Sequence, residues 1–132
     1  MSQANVEIAK RARDAVNRLD VDACYECATP DVEVFSTLFD LAGGSYRGRE
    51  GIETLLGNIR DTFEEYPVVA DEIRDLGDRV LMLGRVEGRG RGSGVQVDTP
   101  YGTVSDFRGG KISRIRTYLD HGETLRAAGL SE

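Results

Sequence analysis

Two alternating runs carry the best-placed ionisable groups of the chain. Ile112, Arg114, Arg116, Tyr118 and Asp120 share one parity in a stretch that reads as the last strand, and Leu81, Leu83, Arg85 and Glu87 share one in a longer strand before it. Residues two apart in a strand project from the same side. If both sides turn inward, a common pocket receives two acids, up to three arginines and a tyrosine among aliphatic groups. Desolvation raises the pKa of a carboxylate and a neighbouring arginine lowers it, and acid/base chemistry needs that balance. Asp120, Glu87 and Arg85 are the catalytic candidates, and Tyr118, Arg116, Leu83 and Phe35 the candidates for the substrate-binding wall. The alternative is that Arg85, Glu87 and Arg116 form cross-strand ion pairs on a solvated sheet face. His121 is either a partner of Asp120 or the start of a helix, and Asp40 either hangs over the pocket mouth or faces solvent from its loop.

Other chemistries find little support. Cys24-Tyr25-Glu26-Cys27 has the spacing of a redox pair or half a zinc site, but the chain has one histidine to complete a ligand set. The pair also falls in a short helical stretch instead of at a strand-to-helix turn, so buried small hydrophobes are expected. No metal, no cofactor and no serine or cysteine nucleophile with a base beside it is expected.

The elements that position these residues follow from periodicity. Val6, Ala9, Ala12, Ala15, Val16 and Leu19 recur at helical spacing, Asp20 is placed to cap a short second helix, and Thr29-Pro30 ends it. Asp31 to Phe35 alternates as a strand, and a loop through Gly43 and Gly44 leads to a third helix from about Glu50, with Ile52, Leu55, Leu56, Ile59 and Phe63 on one face. After Pro67 the pattern becomes strand, with tight turns at Gly77-Asp78 and Gly109-Gly110. The end, Glu123 to Leu130, reads as a short helix closed by Gly129. Helices first and hairpin-linked strands after predict an α+β fold, one domain over residues 1–132, with helices against an antiparallel sheet.

Composition sets the outer limits. With 17 basic and 23 acidic residues among 132, the formal charge is −6, which disfavours nucleic acid as a partner. Apolar residues at 39% and charged residues at 30% suit a globular chain. No apolar run is long enough to span a membrane and the N-terminus lacks signal-peptide order, so a cytoplasmic protein is expected.

Gly84, Gly88, Gly90, Gly92 and Gly94 all fall on one side of the long strand. They fail the spacing of a phosphate-binding loop, and missing side chains on one side let a sheet bend sharply. A curved sheet closed by helices encloses a cavity, where function is expected.

Tyr46-Arg47-Gly48-Arg49-Glu50-Gly51-Ile52, Gly88-Arg89-Gly90-Arg91-Gly92-Ser93-Gly94, Phe107-Arg108-Gly109-Gly110-Lys111-Ile112, Tyr118-Leu119-Asp120 and Ala127-Ala128-Gly129-Leu130, taken in order, resemble the SnoaL-like branch of the nuclear transport factor 2-like superfamily. The resemblance implies a cone-shaped α+β fold with a deep pocket, often dimeric, hence a homodimer binding a small apolar organic ligand. Members include polyketide cyclases, ketosteroid isomerases, limonene-type epoxide hydrolases, dehydratases and binding modules. The positions that carry ketosteroid isomerase chemistry hold Ala12, Phe35 or Ser36, and Thr103, so that chemistry is not expected. Limonene-type hydrolases imply Arg85, Glu87 and Asp120 as an epoxide-opening set, although the family's water-positioning tyrosine and asparagine fall near Val34 and Ser36. SnoaL-type cyclases imply Asp120 as the acid/base. The leading expectation is thus a cofactor-independent pocket protein, as an enzyme a cyclase, isomerase or dehydratase using Asp120. Epoxide hydrolysis and a non-catalytic binding or dimerising domain are the alternatives.

Overall fold

The computed structural model describes residues 2–36 and 45–130. Two helices open the chain, α1 (Ser2–Asn17) and α2 (Val21–Glu26), followed by β1 (Ala28–Ser36), β2 (Tyr46–Arg47) and α3 (Gly48–Thr62). Five strands come next, β3 (Phe63–Glu65), β4 (Val68–Asp75), β5 (Arg79–Gly90), β6 (Gln96–Arg108) and β7 (Lys111–Tyr118), and α4 (His121–Ala127) ends the fold. This is the α+β order that the sequence predicts. Asp40, Gly43 and Gly44 lie outside the described residues.

Local chemistry sets the boundaries. The Asp20 carboxylate accepts from the Ala23 N–H at 3.0 Å and starts α2. At the other end of the chain, Gly129 has φ 84° and its N–H reaches the Arg126 carbonyl at 3.0 Å, while Leu130 N–H reaches Leu125 at 2.9 Å. That bond pair is the Schellman ending expected for α4. Gly109 and Gly110 both have positive φ, 61° and 82°, as a two-residue hairpin between twisted strands demands.

The sheet has seven strands in the order β2-β1-β7-β6-β5-β3, with β4 also on β5, and it curls into a half-barrel. All pairings are antiparallel except β1 with β7, which run parallel, Phe35 beside Arg116. Gly84 lies in β5 opposite Ala70 of β4. A Cβ there would stand 1.8 Å from the Val69 carbonyl oxygen, so β4 approaches β5 at a distance that only glycine permits. Next to it, β4 carries a register shift between Ala70 and Glu72, the kind of bulge that adds bend.

The two faces of the sheet are covered differently. On the concave face α1, α2 and α3 pack through Ala12, Ala15, Cys24, Ile52, Leu56 and Ile59 against Val32 and Ile112. On the convex face α4 packs through Leu125 and Ala128 over Leu81, Leu83 and Val104. Cys24 and Cys27 are buried free thiols, as the helical reading of their spacing predicts.

Candidate functional site

Between the helices and the concave face lies a cavity of about 120 Å³. Its walls follow strand parity. From β6 come Tyr101, Thr103 and Ser105, from β7 Ile115 and Thr117, from β1 Val32, Val34 and Ser36, and from β5 Met82. The cross-strand register explains the grouping, since Met82 pairs with Thr103 and Thr103 with Thr117, and facing residues in a ladder share a side. The helical wall is aliphatic, with Ala9, Ala12 and Val16 of α1 and Ile52, Leu55, Leu56 and Ile59 of α3. Tyr66, between β3 and β4, also lines it, its ring tilted against Phe63 with centroids 4.9 Å apart.

No carboxylate and no imidazole contributes to this wall among the described residues. The one charged residue is Arg13, whose guanidinium pairs with the exposed Asp14 at 3.1 Å. The polar groups are otherwise hydroxyls and one thiol. Burial raises the Tyr66 phenol strongly, with the nearby Tyr101 adding to the shift, and lifts Tyr101 to about 12 and the Cys24 thiol to about 12. These groups stay neutral at ordinary pH: the phenols are hydrogen-bond donors and the thiol is a weak nucleophile.

The residues singled out from sequence lie elsewhere. Arg85 and Glu87 form an ion pair on the convex side, and Arg85 also bonds Asp71 of β4 at 3.3 Å. Glu87 is exposed, so these two residues pair along one strand on a solvated sheet face, and the cross-strand partner of Arg85 is Asp71. Leu83 is buried under α4. Phe35 and Tyr118 are half-buried and absent from the cavity wall, where Val34, Ser36 and Thr117 take the places beside them. Arg116 leans toward Asp106 at 3.9 Å, and its Nε and Nη2 are buried without a hydrogen-bond partner. Arg79 and Arg114 bond the same Asp106. Asp120 is exposed and caps α4, accepting from the Glu123 N–H at 3.1 Å. The neighbouring His121 donates from Nε2 to the Gly84 carbonyl at 2.8 Å, tying α4 to β5. The inward placement expected of Asp120, Glu87, Arg85, Arg116, Tyr118, Leu83 and Phe35 is therefore corrected: none of them borders the cavity.

Two physical causes produce the inversion. A sheet bends toward the side where side chains are missing, so the even-numbered glycines of β5 mark its concave face, together with Val80, Met82 and Val86, and the odd-numbered Leu83, Arg85 and Glu87 face out. On β7 the register slips, with Asp106 opposite Arg114 but Phe107 opposite Ile112. The extra residue, Ser113, flips Ile112 to the cavity side while Arg114, Arg116 and Tyr118 point away.

A family model described as the SnoaL-like domain matches residues 9–115. The chain belongs to this family. Solved structures place the SnoaL-like domain among proteins of the same fold. A putative SnoaL-like polyketide cyclase from Jannaschia sp. CCS1 is 22% identical, with a TM-score of 0.79 over 96% of this chain and 92% of that one. A nuclear transport factor 2-like protein of unknown function from Burkholderia pseudomallei is 20% identical, with a TM-score of 0.78 over 93% and 95%. A hypothetical protein from Catenulispora acidiphila with a ketosteroid isomerase-like fold, in complex with trimethylamine, is 20% identical, with a TM-score of 0.77 over 94% and 93%. No protein among the curated sequences matches the chain. At these identities the likeness concerns fold.

Proposed function

We propose that this SnoaL-like domain binds one small, largely apolar organic molecule in the cavity beneath α1 and α3. The observation that carries this reading is the cavity itself, about 120 Å³ with aliphatic walls and a few hydroxyls. An apolar cavity of about 150 Å³ holds a benzene molecule, whereas pockets for drug-sized ligands run from about 300 Å³ upward. The size favours ligands on the order of six to ten non-hydrogen atoms and disfavours the fused rings of a polyketide. The complex of the Catenulispora acidiphila protein with trimethylamine supports a small ligand on this fold.

Catalysis enters less readily. An acid/base reaction through Asp120, or epoxide opening by Arg85, Glu87 and Asp120, needs these groups at the bound molecule, and they stand on the far side of the sheet or cap α4. Binding asks for no such rearrangement. Calorimetric titration with a size series (toluene, indane, anthracene and a tetracyclic quinone) tests the proposal. Saturable binding is expected for the first two and none for the last. Affinity that rises steadily with size, or no saturable binding at all, would overturn it.

A further inference from the structure

The cavity wall is not evenly polar. The Thr117 hydroxyl is committed to the Phe35 carbonyl at 3.0 Å. By contrast, the phenolic hydroxyls of Tyr66 and Tyr101 make no hydrogen bond among the described residues. The two side chains come from different elements, Tyr101 from β6 and Tyr66 from the segment between β3 and β4, and border the same cavity. Each lies close enough to the other that a charge on Tyr101 raises Tyr66 further. Both residues are half-buried, and a phenol that faces a cavity without a protein partner gains free energy from a suitably placed acceptor there.

Charge narrows the identity of that acceptor. The described wall offers no carboxylate to a cation, and its one cation, Arg13, already pairs with Asp14. A charged ligand would lose its hydration without gaining a counter-ion. The acceptor is therefore neutral. Resting on the binding reading above, we infer that Tyr66 and Tyr101 form a two-donor subsite that receives the oxygen of a neutral carbonyl compound, its hydrocarbon body lying on the aliphatic wall of α1 and α3.

Matched pairs of equal shape test this inference: acetophenone against α-methylstyrene, and cyclohexanone against methylenecyclohexane. Each pair is titrated into the wild type, Tyr66→Phe, Tyr101→Phe and the double variant. The ratio of ketone to alkene affinity is expected to fall roughly tenfold in the double variant, while alkene affinity stays within about twofold. An infrared difference spectrum of carbonyl-labelled acetophenone gives an independent reading. Its stretch is expected at lower frequency on the wild type than in hexane, with the shift lost in the double variant. An unchanged ratio, or a hexane-like stretch on the wild type, overturns the two-donor subsite while alkene binding leaves the cavity reading intact. Failure of both ketone and alkene to bind overturns the two together. The infrared measurement on the wild type decides the inference even where a variant does not fold.

Discussion

The Asp120 side chain does a structural task that its surroundings fully account for. It accepts from the Glu123 N–H at 3.1 Å, and its own carbonyl accepts from the Thr124 hydroxyl at 2.8 Å. A carboxylate at a helix start satisfies a free N–H and meets the positive end of the helix dipole. Asp120→Ala is therefore expected to lower unfolding free energy by about 1 kcal/mol in urea titrations, and Asp120→Asn by less, because asparagine caps nearly as well. Both are expected to leave ligand affinity unchanged in calorimetry. Cys24 sets a second expectation at this scale. Burial raises its thiol from an ordinary value near 9 to about 12, so the unfolded chain releases this proton first as pH rises. Its contribution is fully present below pH 9 and is lost between pH 9 and 12, where the Cys27 thiol, also raised by burial, acts in the same direction. Urea midpoints measured from pH 8 to 11 are expected to fall, and Cys24→Ala to make the slope shallower. An unchanged slope would remove Cys24 from the account.

At the scale of elements, glycine spacing decides which side of the sheet meets which helix. A Cβ on Gly102 would lie 2.2 Å from the Thr124 hydroxyl oxygen, 2.7 Å from its methyl and 2.8 Å from its Cβ, so α4 rests directly on the backbone of β6. Gly102→Ala is expected to cost about 1–3 kcal/mol and to speed amide exchange across α4 selectively. Adding Thr124→Ala should recover only part of the loss, since the Cβ contact at 2.8 Å remains. The same glycine logic shows what the sequence could reveal. Helical periodicity, the Asp20 cap, the Gly109-Gly110 turn and the Gly129 ending were all legible, because each depends on a few neighbouring residues. The even-numbered glycines of β5 also carried the correct facing, since the concave side is where side chains are missing. Extended across the ladder, that parity reaches Met82, Thr103 and Thr117 and leaves Arg85 and Glu87 outside. For β7 no local signal was available: the bulge at Ser113 is a property of pairing with β6, and one inserted residue reverses the side on which every later side chain stands. Tyr66 was hidden for a related reason. It belongs to no long alternating run, and the pairing of β3 and β4, on either side of it, with β5 brings it to the cavity.

For the whole molecule, the curl of the sheet and the thickness of its helical cover fix a void that packing alone does not fill. Interiors normally pack as densely as organic crystals, and vacant volume in an apolar core lowers stability by forfeiting contacts. The free protein is thus expected to gain stability when the void is filled from within. Ala12 of α1 borders the cavity, whereas Ala15, one turn further along, is fully buried in the cluster with α2 and α3 and does not border it. The two alanines lie on the same helix and accept the same substitution with opposite consequences. Ala12→Leu places three added carbons in vacant space and is expected to raise unfolding free energy by about 1 kcal/mol or more. It should also weaken toluene binding at least tenfold, because the side chain competes for the ligand's volume. Ala15→Leu forces the same atoms into a filled core and is expected to destabilise by about 1–3 kcal/mol. Helix propensity changes equally in both and cancels from the comparison. Equal destabilisation by the two variants in urea titrations, with toluene affinity untouched by Ala12→Leu, would mean that the space under α1 is closed in solution, and the binding function would have to be sought on another surface of the fold.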